Sequence, residues 1–106
     1  MVTYEDFRKI ELKIARIKDV QEHPNADRLY VIKVEVAGVE KQIVAGIRAS
    51  YAKEALLGKY VVLVDNLEPA MLRGVESQGM LLAASDEKGI SVISPDREVL
   101  TGSIVK

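Results

Sequence analysis

The sequence contains no cysteine and no tryptophan, and its 106 residues include a single histidine, one phenylalanine and three prolines. Without cysteine there are no disulfides, thiolate metal sites or cysteine nucleophiles, and a reducing compartment, the cytoplasm, is the expected location. Because His23 is the only histidine, neither a histidine metal cluster nor a second base can be assembled, and Pro24 beside it points to a turn. Ser77, in Glu76-Ser77-Gln78-Gly79, lacks the leading glycine of a nucleophile elbow and has no histidine after it. Gly74, Gly79 and Gly89 fall in neither the P-loop nor the dinucleotide-binding spacing, so no phosphate cradle is expected. Asp65, Asp86, Asp96 and Glu98 stand beside turn residues and read as solvated acids rather than metal ligands. No apolar run approaches the roughly 20 residues of a membrane span, and the charged first ten positions do not resemble a targeting segment. The expectation is a chain with no catalytic residues, no metal, no cofactor and no membrane anchor.

What is present suits one β-rich core. The composition is 48% hydrophobic with four tyrosines and one phenylalanine, so Val, Ile, Leu and Ala must fill the interior, and the length fits one domain, residues 1–106. Thr3 followed by Asp6 predicts a capped turn of helix. From Lys9 to Val20 apolar positions recur every second residue until parity breaks near Ala15. That break predicts a bulge in a long bent strand, with an amphipathic helix as the alternative. His23-Pro24-Asn25-Ala26-Asp27 is turn chemistry, and Leu29 to Val36 alternates as a half-buried strand with Tyr30 facing the core. After a turn at Ala37-Gly38, Lys41 to Ile47 reads as the antiparallel return, with Gly46 as a bulge or close approach.

Further along, Ser50 is placed to cap a short helix ending at Gly58, and Lys59 to Asp65 reads as a strand. Pro69 opens a loop ending at Gly74, and Met80 to Ala84 is apolar enough for burial on both faces. Asp86-Glu87-Lys88-Gly89 predicts a hairpin turn into Ile90–Ile93, and a last strand covers Ser103 to Val105. Six or seven strands with one helix between the third and fourth give an all-β fold, an OB-fold (oligonucleotide-binding β-barrel) with short helices.

Charge is nearly balanced, with 15 basic and 16 acidic residues and a net charge of −1, so any nucleic-acid affinity should be moderate and salt-sensitive. Lys13, Arg16 and Lys18 along the first strand and Lys33 on the second can present cations on one surface, or be ordinary solvated charges balanced by Glu11, Asp19 and Glu35.

Three ordered blocks carry a family resemblance: Pro24-Asn25-Ala26-Asp27-Arg28-Leu29, Gln42-Ile43-Val44-Ala45-Gly46-Ile47, and Asn66-Leu67 followed by Arg73 to Ala84, with Ser77-Gln78-Gly79-Met80 at its centre. The chain resembles, over essentially its whole length, the tRNA-binding domain found at the C-terminus of methionyl-tRNA synthetases and as a free-standing structure-specific tRNA-binding protein. The resemblance implies an OB-fold with a C-terminal strand extension used for dimerisation, binding tRNA by shape with no catalysis of its own. By position, Asn66, Arg73, Ser77 and Met80 match the family's signature loop and are expected to face tRNA. Lys33, Lys41, Gln42 and Arg48 join them by strand register. Relatives often carry basic residues where this chain has Glu68-Pro69-Ala70-Met71, which implies weaker affinity. Ile90, Val92, Ile93, Val99, Leu100 and Ile104 exceed what a short C-terminal hairpin can bury against itself, and are nominated for a homodimer interface. The expected partners are tRNA, a second copy and the catalytic part of methionyl-tRNA synthetase. A dimeric export chaperone of the same fold, binding unfolded polypeptide, is the alternative, although that group lacks the Ser-Gln-Gly-Met loop.

Overall fold

A computed structural model describes all residues, 1–106. Helix α1 (Tyr4–Arg8) begins where expected: the Thr3 hydroxyl accepts a hydrogen bond from the Asp6 N–H at 3.1 Å. The chain continues through β1 (Leu12–Glu22), β2 (Tyr30–Val36), β3 (Val39–Ala45), α2 (Lys53–Leu56), β4 (Tyr60–Val64), β5 (Ala70–Leu72), β6 (Val75–Ser77), β7 (Met80–Leu81), β8 (Ala83–Asp86), β9 (Gly89–Val92) and β10 (Ile104–Val105). The main sheet is antiparallel in the order β3-β2-β1-β4-β7, with β10 added on β1, while β5–β6 and β8–β9 form separate hairpins.

β1 serves both halves of the curl. Leu12 to Arg16 pair with β4, Arg16 to Glu22 pair with β2, and the register slips between Ile17 and Asp19. The bulge therefore lies at Lys18, not near Ala15, and β1 is a strand throughout rather than a helix. Ile14 and Ala15 are consecutive buried residues for another reason: both faces of β1 are covered there. Along the edge of β1 opposite β4 runs the C-terminal segment, whose Gly102 N–H donates to the Ile14 carbonyl at 2.7 Å and whose Ser103 carbonyl accepts from the Ile14 N–H at 2.9 Å. Parity in the sequence cannot distinguish a bulge from a second covering layer.

Inside the curl, Ile17, Ile32, Ile43, Leu56 and Leu63 are fully buried. Tyr30 is buried beside them, and its hydroxyl donates to the Tyr51 carbonyl at 2.6 Å. Ala37 and Gly38 take left-handed φ values of +50° and +84°, the two-residue turn that matches strand twist. The Glu35 carboxylate braces this turn by accepting from the Gly38 N–H and the Thr101 hydroxyl, and these two bonds hold its pKa below the ordinary carboxylate value.

Four local expectations are corrected. Gly46 makes no bulge, because β2 and β3 pair in unbroken register and β3 ends at Ala45. Ser50 does not cap α2, which starts after Ala52 without a side-chain cap; the Ser50 hydroxyl accepts from the Ile90 N–H instead, at 3.1 Å. The stretch after Pro69 is no simple loop but the β5–β6 hairpin, turned by Arg73 and Gly74 at φ +54° and +90°. Met80 to Ala84 is not buried on both faces: Leu81 alone is buried, and the chain leaves the main sheet there to build β8–β9. These short pieces raise the strand count from the expected six or seven to ten.

Candidate nucleic-acid interface

Ser77 and Gln78 fasten β3 to the β6–β7 segment. The Ser77 hydroxyl accepts from the Val44 N–H at 2.9 Å and donates to the Gly79 carbonyl at 2.9 Å, while the Gln78 side-chain carbonyl accepts from the Gln42 N–H at 2.8 Å. Gln78 N–H donates back to the Gln42 carbonyl at 2.8 Å. Two side chains thus stand in for a backbone ladder and close the curl. Ser77 is buried, with both its hydrogen-bonding roles taken up inside the chain. Asn66 is likewise committed, since its amide donates to the Lys9 carbonyl at 2.7 Å and accepts from the Glu11 N–H at 2.8 Å, pinning the segment that follows α1.

The cations nominated from the sequence divide between the two ends of β3. At its start, Lys41 and Lys13 both reach the carboxylate of Asp65, the Lys13 contact being 3.0 Å. Burial pushes the Asp65 pKa up, but hydrogen bonds from Lys41 and Lys13 outweigh it and hold the carboxyl below its ordinary value. The hydrogen bond to Asp65 in turn raises the Lys13 pKa. A carboxylate with a lowered pKa stabilises the fold above the unfolded-state value, and loses that contribution as pH falls through the folded value. Asp65→Asn is therefore expected to cost about 1–2 kcal/mol at neutral pH by urea denaturation. The gap from the parent protein should close as the pH falls below about 4; a constant gap would show that charge is not the cause.

Beyond the other end of β3, two arginines from distant parts of the chain meet one turn. Arg48 donates to the Ala26 carbonyl at 3.4 Å and pairs with Glu22 at 2.9 Å. Arg73, exposed at the tip of β5–β6, donates to the Asn25 carbonyl at 3.3 Å. A left-handed φ costs a non-glycine residue roughly 1–2 kcal/mol, so the arginine at the hairpin tip stands against a local preference for glycine or asparagine. Between the two ends, on the outer face of the sheet, Lys33 donates to the Gln42 side-chain carbonyl at 2.9 Å, and Gln42 donates to the Glu76 carbonyl at 2.9 Å. Arg16, nominated on β1, lies over the Tyr60 ring at 5.4 Å, and Lys18 is exposed at the bulge.

Met80 is about half exposed and borders an apolar groove of about 540 Å³, lined also by Leu67, Leu72 and Ile90. Of the residues nominated for pairing of two copies, Val92 belongs to the chain's own core and Ile90 packs against it. Val99 is half-buried, Ile93 is exposed, and Leu100 and Ile104 are 85% and 74% exposed. Sequence reading passed over Phe7 and Ile10, which are exposed beside a second apolar groove with Leu67, Met80 and Leu82; α1 buries no residue at all.

A curled antiparallel sheet with one bent strand shared between its halves places the chain in the class of OB-like folds. Residues 12–104 match the family described as "Putative tRNA binding domain", and the chain belongs to that family. It is 53% identical over 105 residues to methionine–tRNA ligase of Pyrococcus furiosus, a match that covers 99% of this chain and 14% of the ligase. The chain thus spans about one seventh of the length of the curated relatives it matches. Among solved structures it resembles a methionyl-tRNA-synthetase-related protein from Pyrococcus horikoshii, with a TM-score of 0.92 and 33% identity, covering 100% of this chain and 98% of that one. It also resembles the CsaA chaperone protein of Picrophilus torridus, with a TM-score of 0.92 and 28% identity over the full length of both chains. No helix is long and apolar enough to cross a membrane.

Proposed function

We propose that this chain is a non-catalytic tRNA-binding and homodimerisation module of a cytoplasmic methionyl-tRNA synthetase, assisting aminoacylation by holding tRNA through its shape and phosphates. The observation that carries this reading is the pair of guanidinium groups, Arg48 and Arg73, anchored on consecutive carbonyls of one turn in a chain of this family. Arginine presents a planar fork suited to phosphate oxygens, and a turn that fixes two of them reduces the ordering cost of contact. Lys33 and Gln42 continue the polar surface along the sheet, and Lys41 adds to it from a site shared with Lys13 and Asp65. Ser77 and Asn66 serve this surface by fixing the backbone that carries it, and Met80 by lining its apolar border.

The homodimer would bury Ile93, Leu100 and Ile104, and the exposed apolar face of α1 with Phe7 and Ile10 is a further candidate for the contact. Two modest sites in one dimer gain through effective concentration, which suits a chain of net charge −1. A second reading, binding of extended polypeptide, is favoured by the apolar groove beside Leu67, Leu72 and Met80 and by the likeness to a chaperone protein.

One experiment separates them: total tRNA binding across a salt series, with the solution mass determined in the same buffers. A dimer whose affinity falls linearly in log salt is expected. Salt-independent binding of an unfolded polypeptide, with no binding of tRNA, would establish the second reading, and a monomer at micromolar concentration would remove the dimer.

A further inference from the structure

His23 is the one buried basic side chain, and the proposed function leaves it unused. It is 4% exposed, and both ring nitrogens have backbone partners on different parts of the chain. The Asn25 N–H donates to Nδ1 at 2.9 Å, so Nδ1 carries no proton; Nε2 therefore carries it and donates to the Leu72 carbonyl at 2.9 Å. Asn25 and Ala26 supply the two carbonyls that hold Arg73 and Arg48, and Leu72 directly precedes Arg73. The imidazole therefore bridges the turn that receives the guanidinium groups and the hairpin that delivers one of them. No other hydrogen bond runs directly between residues 23–29 and β5–β6 except that of Arg73 itself.

Resting on the reading of Arg48 and Arg73 as phosphate contacts, we infer that His23 is a positioning residue for the arginine pair. Its two hydrogen bonds set the distance between the 25–26 carbonyls and the tip of β5–β6, and so the spacing at which the guanidinium groups meet an RNA backbone. Arg28 is exposed in the same turn. A phenylalanine fills the imidazole's volume without either hydrogen bond, whereas a glutamine can both accept and donate.

The test uses the full chain, total tRNA as the probe, and His23→Phe and His23→Gln, each alone and with Arg73→Ala. His23→Phe is expected to weaken tRNA binding about tenfold and to lower the slope of log affinity against log salt by about 1. In the Arg73→Ala background it should add little, and His23→Gln should recover part of the loss. An equal loss with and without Arg73, or no loss at all, would overturn the inference. The Arg73 Nε–H resonance, read without RNA, provides a check independent of tRNA binding: it should shift or broaden in His23→Phe and return towards its original position in His23→Gln. If the parent chain bound no tRNA, the proposed function would fail while that resonance still decided the role of His23; an unmoved resonance would reject it.

Discussion

The double substitution Arg48→Ala with Arg73→Ala is expected to lower tRNA affinity about a hundredfold near 0.1 M salt, and to reduce the salt slope by about 2. Each lost phosphate contact removes close to one released counterion, which makes the slope a count of contacts and the affinity a sum over them. Stability should barely change. Arg73 is exposed and its anchor to Asn25 is 3.3 Å long, while the Arg48–Glu22 pair joins a half-exposed acid to a quarter-exposed arginine, the kind of ion pair that contributes about 0–1 kcal/mol. Thermal unfolding therefore serves as the control: equal midpoints with a flattened salt dependence assign the loss to the interface. Arg73→Lys is the informative partner, because it keeps the charge while losing the fork, and should preserve most of the slope but only part of the affinity. A double variant that binds with unchanged slope would move the interface elsewhere, to Lys33, Lys41 or the face of Lys18.

Much of the barrel was legible in the sequence because its signals were local. Thr3 and Asp6 start α1, Ala37-Gly38 turns β2 into β3, and Asp86 to Gly89 turns β8 into β9; each is a short-range pattern whose physics needs no knowledge of the rest of the chain. The misses share the opposite property. Ser50 has the right chemistry for a helix cap, but its hydroxyl goes to Ile90, forty residues away. Met80 to Ala84 reads as a continuous buried strand, but its burial depends on where the β8–β9 hairpin leaves the sheet. The displaced bulge in β1 has the same origin, since the consecutive burial of Ile14 and Ala15 depends on what distant parts of the chain lay against both faces of the strand.

The candidate site divides along the same line. Lys33 paired with Gln42 follows from strand register, and the family resemblance pointed to Arg73. That Arg48 and Arg73 meet on neighbouring carbonyls follows from neither, because one comes from the segment after β3 and the other from the tip of a hairpin read as a loop. Nor could the sequence show that Lys41 shares Asp65 with Lys13, which leaves it less free to meet phosphate than its position on β3 suggested.

The signature Ser77-Gln78-Gly79 makes the second large prediction, and it concerns stability. Ser77→Ala strands the Val44 N–H and the Gly79 carbonyl inside the fold, at a cost of about 1–3 kcal/mol. Gly79→Ala places a methyl 3.0 Å from the Val64 carbonyl oxygen and 3.2 Å from Leu63 Cδ1, in the strand against which β7 is paired, and should cost about 1–3 kcal/mol through overpacking. Each change should appear as a lower urea midpoint. The double variant should fall short of the sum, because the Ser77 hydroxyl is bonded to the Gly79 carbonyl and both residues lie in the one segment held between β3 and β4, so a segment already loosened has less left to lose. Where folding persists, the salt slope for tRNA should match that of the parent chain, the reverse of the pattern expected for Arg48 and Arg73. A Ser77→Ala protein that kept its midpoint but lost tRNA affinity would show instead that the hydroxyl faces RNA, and that the seam holds without it. The opposed outcomes follow from burial: a hydroxyl with both hydrogen-bonding roles occupied by its own backbone has nothing left to offer a phosphate, whereas an exposed guanidinium does.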